Sequence, residues 1–161
     1  MKTIDINIKI RFCRLEELAE EDRQLVEMAV EATNNAYAKY SNFRVGAAVC
    51  LENGLLMKGA NQENAAFPVT LCAERTAIFA AQANYPEQPI TAIAIAAKNE
   101  NGLLSEPITP CGSCRQVMLE IEDRYKRPLR ILLYGQNGVY IVDTVKDLMP
   151  LSFVDASMKG K

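Results

Sequence analysis

The chain of 161 residues contains no histidine, so no imidazole is available to bind a metal or to titrate near neutral pH. It has no run of lysine and arginine, its net charge is −2 and its aromatic content is 7%, which argues against a nucleic-acid partner. No apolar stretch is long enough to span a bilayer. The N-terminal residues alternate polar and apolar types where a secretory signal has one apolar block, so the sequence predicts a cytoplasmic protein.

Cysteine occurs five times, in a pattern that does not suit a disulfide framework. An odd number at uneven spacing, in a chain predicted to be cytoplasmic, favours metal binding or catalysis. Apolar residues make up 49% of the chain and charged residues 24%, an ordinary globular mixture. We therefore expect one domain with a sizeable core over residues 1–161. The five cysteines are Cys13, Cys50, Cys72, Cys111 and Cys114.

The hydrophobic pattern predicts an α/β domain in which helices cover a mixed sheet. Apolar residues occupy every second position from Ile4 to Phe12, typical of a strand with one buried face. Residues 1–13 are thus predicted to form an extra N-terminal strand, or an arm that pairs with another subunit. Helical spacing is predicted over about 15–39, 72–84 and 112–124, with a short helical turn at 145–149. Strand patterns cover the hairpin 44–61, the apolar run 90–98, and a final pair at 130–135 and 139–144.

Three cysteines coincide with the predicted starts of two helices. Cys72 directly precedes one helix, and Cys111 and Cys114 flank the start of the next. Helix N-termini favour anions, and the thiolate is the form of cysteine that binds metal. Zinc accepts sulfur ligands, and a site with three protein ligands keeps a fourth position for water, as catalytic zinc sites do. Cys13 and Cys50 could supply a fourth ligand, although a lone cysteine is more often a small buried apolar residue.

Glu74 lies two residues after Cys72, in the first turn of the same predicted helix. A carboxylate beside a metal can take a proton from water that the ion has acidified and pass it on. C-x-E followed by P-C-x-x-C is the three-cysteine form of the zinc deaminase signature. A lone glutamate here could simply favour the positive end of the helix dipole. The three cysteines at this spacing favour catalysis, with Glu74 as the proton shuttle.

Charge balance predicts a cation near such a site. Zinc with three thiolates carries a net −1, which opposes ionisation of a bound water, so a positive group should lie nearby. Arg75 follows Glu74 and is the first candidate for compensating the charge of the metal site. Arg115 follows Cys114 and is the second. Either arginine could instead be an ordinary surface charge.

Through these residues and several further stretches, the chain resembles the cytidine deaminases of the small, homotetrameric type. The stretches that carry the resemblance are YSNFRVGAAV (40–49), NQENAAF (61–67), CAERTAIF (72–79), PCGSCRQV (110–117) and LMPLSF (148–153). It implies a three-layer α/β domain with a mixed five-stranded sheet and helices on both faces. It also implies hydrolytic deamination of cytidine and 2′-deoxycytidine to uridine and 2′-deoxyuridine with release of ammonia, a step of pyrimidine salvage. One zinc ion per chain and a homotetramer are implied with it.

The resemblance assigns roles to further residues. Phe43 would lie against the pyrimidine ring, and Asn61 and Glu63 would hold the sugar hydroxyls. The backbone of Ala73 would meet the edge of the base, and Phe153 would reach the active site of a neighbouring subunit. These roles suit the chemistry of aromatic faces, carboxylates and amides. On the residues alone, Phe43 and Phe153 could be ordinary core residues, and Asn61 and Glu63 could be solvated loop residues.

Two features depart from the family pattern. Phe67 stands where members commonly have tyrosine, so a hydroxyl contact at that position is lost. The alternating segment 2–13 lies outside the pattern. The negative charge of Glu63 and the lack of a phosphate-cradling glycine loop favour a nucleoside over a nucleotide as substrate.

Other functions stay open on the sequence alone. A deaminase of an antibiotic nucleoside such as blasticidin S would share the zinc core but differ in the sugar loop, where N-Q-E-N suits cytidine enzymes better. A deaminase of tRNA or single-stranded DNA would need a basic groove and stacking aromatics. A non-catalytic zinc module would not require Glu74. A thiol redox protein could use Cys111 and Cys114, but Cys72-Ala-Glu74 would then be a coincidence.

Overall fold

The computed structural model describes residues 1–158, and its chain path forms a three-layer α/β arrangement. Seven strands and four helices are present in that range. The strands are β1 (Ile10–Cys13), β2 (Arg44–Leu51), β3 (Leu56–Ala60), β4 (Ile90–Asn99), β5 (Gly102–Leu103), β6 (Arg130–Gly135) and β7 (Gly138–Val142). The helices are α1 (Glu20–Ala32), α2 (Ala73–Asn84), α3 (Gly112–Tyr125) and α4 (Asp155–Met158).

The strands form one mixed sheet in the order β1-β7-β6-β4-β2-β3, with β5 paired to the end of β4. β4 and β6 run parallel and the other neighbours are antiparallel. The predicted fold class is confirmed, but the sheet has seven strands where five were expected. β1 adds to the edge of β7, and the chain after Asn99 turns back so that Leu103 pairs with Lys98. The segment that contains β1 lies outside the family pattern, and β5 is a short strand of two residues.

Helices cover both faces of the sheet. α1 packs its buried residues Leu25, Val26 and Ala29 on one face, and α2 and α3 lie on the other with Ala77, Ile78 and Met118. β4 is buried on both faces, as its continuous apolar sequence predicts. Gly59 lets α2 approach closely, because a Cβ atom there would lie 2.4 Å from the backbone nitrogen of Ala77. None of the helices within residues 1–158 is long and apolar enough to cross a bilayer.

The helix boundaries matter for the site. The first predicted helical segment, residues 15–39, is not one continuous α-helix. 3-10 turns at Leu15–Glu17 and Thr33–Asn35 flank α1. α2 begins with Cys72 as its N-cap and α3 begins with Cys111 as its N-cap, and both cap residues have extended backbone. Both helices start at the same end of the sheet face that they share. This juxtaposition brings Cys72 and Cys111 close together.

The N-terminal alternation forms a strand only over its last four residues, in β1. Residues 1–9 lie outside any strand, and the apolar side chains at alternate positions are exposed instead of forming a buried face. The predicted burial is therefore not present within one chain.

Candidate active site

The starts of α2 and α3 bring the three predicted cysteines together. The Sγ atoms of Cys72, Cys111 and Cys114 all lie within 4.8 Å of one another, and those of Cys72 and Cys111 are 3.9 Å apart. Cys114 is buried, Cys72 is half-buried and Cys111 is exposed. Within residues 1–158 this is the one group of three potential metal ligands.

The cysteine cluster fits a zinc ion. Three sulfurs bound at about 2.3 Å to a tetrahedral ion stand roughly 3.8 Å apart, close to the 3.9 Å between Cys72 and Cys111. All three residues are free thiols, and sulfur is a ligand that zinc prefers. Cys13 and Cys50 pack on the α1 side of the sheet, whereas this cluster lies on the α2 and α3 side. Three protein ligands would leave one coordination position for a small molecule.

The local electrostatics favour ionisation of Cys72 first. The pKa of Cys72 is lowered to about 5, chiefly by a hydrogen bond from the Cys114 thiol and then by the Arg75 guanidinium, against the opposing effect of burial. The pKa of Cys114 is raised by its hydrogen bond to Cys72 and by its own burial. A dication bound to all three sulfurs would favour the thiolate form of each.

Arg75 points its guanidinium at the cluster. Its Nη2 atom lies 3.6 Å from the Sγ of Cys72 and 3.5 Å from the carbonyl oxygen of Thr70. The pKa of Arg75 is raised, first by the hydrogen bond to Cys72. Its Nε atom is buried and has no hydrogen-bond partner among the described residues. This placement supports a charge-compensating role over that of a surface charge.

Arg115 has a different role. Its Nε donates to the carbonyl oxygen of Pro110 at 2.8 Å, and its Nη1 donates to the carbonyl oxygen of Leu148 at 2.8 Å. Its Nη2 donates to the hydroxyl of Thr109 at 3.3 Å. Arg115 thus ties the segment before Cys111 to the chain near Leu148. Neither sequence interpretation of this arginine included that anchoring function.

Glu74 lies in the first turn of α2 and lines the same cavity as Cys72 and Cys111. Its side chain is only 4% exposed. Burial raises the pKa of Glu74, and the nearby Cys72 thiolate adds to the effect. A raised pKa suits a carboxyl group that must both accept and release a proton near neutral pH.

A cavity of about 300 Å³ opens beside the cysteines. This volume is at the lower end of the range for small-ligand sites. Phe43, Val45 and Ile108 contribute apolar lining, and Asn61 and Glu63 lie at its polar side. Two of the cysteines and Glu74 line it as well. A flat ring with a polar substituent matches this distribution.

Asn61 holds the start of β2 in place. Its Nδ2 donates to the carbonyl oxygen of Phe43 at 2.9 Å, and its Oδ1 accepts from the backbone N–H of Val45 at 2.8 Å. The side chain is 9% exposed. An amide has one further donor hydrogen and further acceptor capacity, so these bonds leave it able to contact a ligand. The sequence did not indicate this role in positioning Phe43.

Glu63 is held by the loop before β2. Its Oε2 accepts from the backbone N–H of Tyr40 at 2.6 Å and from that of Ser41 at 3.3 Å, and its Oε1 accepts from the Ser41 hydroxyl. The Ser41 hydroxyl, followed by the Tyr40 N–H, holds the pKa of Glu63 below its usual range. Glu63 is therefore a fixed anion at the polar side of the cavity. Ser41 was missed because a lone serine in a loop carries no spacing signal.

The other predicted site residues lie as follows. Ala73 is buried at the first position of α2, where its N–H belongs to the unpaired helix start. Phe153 is 60% exposed and lies outside the lining of its own chain's cavity, with its carbonyl oxygen accepting from Gln116 Nε2 at 3.0 Å. Phe67 is exposed and packs edge-on against Tyr40, with the ring centroids 5.5 Å apart.

Comparison with known proteins gives a consistent result. Residues 19–126 match the family model described as the cytidine and deoxycytidylate deaminase zinc-binding region. A cytidine deaminase of Halalkalibacterium halodurans is 38% identical over 138 residues, which cover 85% of this chain and 98% of that protein.

Two further relatives bear on fold and substrate. The crystal structure of cytidine deaminase from Burkholderia pseudomallei superposes with a TM-score of 0.69 at 41% identity, covering 81% of this chain and 97% of that chain. A blasticidin-S deaminase of Bacillus cereus is 28% identical over 138 residues, covering 84% of this chain and 94% of that protein.

Proposed function

The chain belongs to the cytidine and deoxycytidylate deaminase family, and we propose that its cavity hydrolyses cytidine and 2′-deoxycytidine to uridine and 2′-deoxyuridine with release of ammonia. The observation that carries this proposal is the position of the buried Glu74 in one cavity with two cysteines of the cluster. A redox or structural use of the cysteines would not require a buried carboxyl group there. The enzyme is a hydrolase that uses zinc.

Cys72, Cys111 and Cys114 would hold one zinc ion per chain. When bound, zinc acts as a Lewis acid that makes water a competent nucleophile at neutral pH. Glu74 accepts a proton from the attacking water and delivers it to ring nitrogen N3. It then takes the second water proton from the new hydroxyl group at C4 and passes it to the exocyclic amine, so that the C4–N bond breaks, ammonia leaves and the C4 oxygen becomes a carbonyl oxygen. Arg75 stabilises the thiolates through its contact with Cys72.

Binding of the nucleoside uses the opposite side of the cavity. The ring of Phe43 lies against the pyrimidine, and the backbone of Ala73 at the start of α2 contacts the edge of the base. Asn61 and the fixed anion of Glu63 bind the sugar hydroxyls by hydrogen bonds. The same negative charge repels a 5′-phosphate, so the nucleoside is preferred over its monophosphate.

Assembly and location are part of the same proposal. We infer a homotetramer in which Phe153 enters the cavity of a neighbouring subunit. Its 60% exposure and its position outside the lining of its own cavity support this assignment. The enzyme acts in the cytoplasm, in pyrimidine salvage.

The first experiment is an assay of the purified, zinc-loaded protein with cytidine, cytidine 5′-monophosphate and blasticidin S in parallel. We expect uridine and ammonia from cytidine, with the monophosphate at least tenfold slower. Faster turnover of blasticidin S than of cytidine would transfer the proposal to the antibiotic nucleosides. One zinc per chain without turnover of cytidine would preserve the metal site and overturn the substrate.

A further inference from the structure

The N-terminal arm, defined here as residues 2–9, leads into a sheet edge that is open on one side. β1 follows the arm directly, and within residues 1–158 it pairs only with β7, at the end of the sheet. The other edge of β1 therefore presents backbone N–H and C=O groups without a strand partner among these residues. Such an edge is a template for an added strand.

The sequence of the arm and β1 alternates apolar and polar residues, which would form two rows of side chains if the arm were extended. Ile4, Ile6, Ile8 and Ile10 are between 45% and 72% exposed, and Phe12 continues the row at 52%. Phe12 contacts Tyr140 of β7, with the ring centroids 5.1 Å apart, so the apolar row extends onto the sheet. Asp5, Asn7 and Lys9 alternate with the isoleucines, and Asp5 and Lys9 carry opposite charges. An exposed row of isoleucines beside an open sheet edge is typical of a surface that another chain covers.

We infer that the partner is the same arm of a second copy of this chain, paired antiparallel about a twofold axis at Asn7. In this register Ile4 faces Ile10 of the second copy, and Ile6 faces Ile8. Asp5 faces Lys9, and the reciprocal pair forms on the other side of the axis. Cross-strand contacts between β-branched residues and between opposite charges both stabilise paired strands.

Charge complementarity selects this register over its neighbours. A shift of the axis to Ile6 sets Asp5 opposite Asn7 and Lys9 opposite Thr3, which forms no ion pair. A shift to Ile8 sets Asp5 opposite Arg11, but Arg11 already pairs with Asp143 in its own chain. Neither Asp5 nor Lys9 forms an ion pair among the residues that the structure describes, so the axis at Asn7 uses two available charges. A register with the axis between two residues would instead place isoleucines opposite polar residues.

The interface is separate from the candidate active site. The residues that line the cavity lie between Ser41 and Cys111, whereas the arm extends from β1 at the end of the sheet farthest from β3. The pairing adds residues 1–4 of one copy as a strand beside β1 of the other. It therefore neither requires nor contradicts the proposed deaminase activity.

Cross-linking of the full-length, zinc-loaded protein tests the register directly. In Asn7→Cys the two new thiols face each other across the axis, so mild oxidation or a short bis-maleimide should convert most chains to a covalent dimer. In Asp5→Cys, the matched control, the two thiols are four residues out of register, roughly 14 Å apart along the strands. We expect Asp5→Cys to cross-link at least tenfold more slowly, with the unmodified chain as the background for the native cysteines.

Charge reversal is a second, independent test of the register. In the Asn7→Cys background, Asp5→Lys should slow cross-linking at least threefold, because two lysines then face each other. Adding Lys9→Asp should restore the rate, since each pair is re-formed with its signs exchanged. Equal cross-linking of Asn7→Cys and Asp5→Cys, or no recovery in the exchanged variant, would overturn the proposed pairing. All three positions are exposed, so the variants retain the fold.

Discussion

The guanidinium of Arg75 lies 3.6 Å from the sulfur of Cys72, three residues away on the same helix start. The contact places a positive charge beside a cysteine cluster that would carry a net −1 if it held a zinc ion as three thiolates. The pKa of Cys72 is lowered to about 5, first by the hydrogen bond from Cys114 and then by this contact with Arg75.

Replacing Arg75 with glutamine should lower zinc affinity about tenfold, the effect expected when a group that supports a metal ligand is lost. Turnover per bound zinc should fall as well, because the compensating charge is gone. Competition with a chromophoric chelator measures the first quantity. Arg127→Gln, which removes an exposed arginine paired with Glu52, is the control. Unchanged affinity and turnover in Arg75→Gln would remove Arg75 from the site.

Replacing Glu74 with glutamine should reduce turnover of cytidine by a factor of about 100 or more, because the proton carrier is lost. Zinc content should stay at one per chain, since the residue is not a ligand. The thermal midpoint should not fall, because the amide has the same shape and avoids a buried charge. Glu120→Gln on the exposed side of α3 is the control. Normal turnover in Glu74→Gln would disprove the shuttle assignment.

Asn61→Ala should destabilise the fold by about 2 kcal/mol, because the backbone groups of Phe43 and Val45 lose their partner. The KM for cytidine should rise at the same time, since Phe43 is no longer held in place. Asn61→Asp keeps an acceptor for Val45 and should recover part of the stability. Chemical denaturation and steady-state kinetics measure the two effects. A change in KM without any loss of stability would mean that Asn61 does not position Phe43.

Ser41→Ala should raise the pKa of Glu63 toward its ordinary value, because the largest stabilising contact of the carboxylate is removed. A depressed pKa in the folded state contributes stability that is present above the unfolded pKa. That contribution is lost as the pH falls through the folded value. The variant should therefore lack this part of the acid-side stability. Titration of the Glu63 carboxyl carbon by NMR measures the shift, and an unchanged pKa would show that Ser41 does not hold the anion.

Glu122→Ala should cost about 3 kcal/mol of unfolding free energy, because two buried backbone N–H groups lose their acceptor. Glu122 accepts from the N–H groups of Leu129 and Val145 at 2.9 and 2.8 Å and from the hydroxyl of Thr144. Glu120→Ala, two residues away on the exposed face of α3, should change stability by less than about 0.5 kcal/mol. Equal denaturation midpoints for the two variants would contradict this anchoring role.

The parts of the molecule that depend on local spacing were accessible from the sequence. Cysteines at two helix starts, with a glutamate two residues after one of them, predicted a cluster that the structure does assemble at those positions. The spacing of the hydrophobic residues predicted the ends of α2, α3 and β4 to within one residue of those in the structure. These features arise from neighbours in the chain, so a pattern in the chain records them.

The parts that depend on distant contacts were not accessible. Arg115 anchors the carbonyl oxygen of Leu148, and Glu122 gathers Leu129 and Val145, but each looks in the sequence like an ordinary charged residue on a helix. The alternation of apolar and polar residues over 4–12 is evident in the sequence. Whether the apolar side chains are buried depends on a partner that the sequence of the segment does not specify. Strand β5 has only two residues, too few to show any period.

The chain runs from Cys72 through α2 and β4 to Cys111 at the start of α3, so an ion held by both cysteines would close a loop that contains the central strand. Cys72 and Cys111 are 39 residues apart in the chain. A permanent link closing a loop of that length would remove chain entropy worth about 4 kcal/mol from the unfolded ensemble. Zinc would thus act as a reversible cross-link, and its loss would raise the unfolded population that proteases attack. Metal supply would then govern how long each molecule persists as well as how fast it works.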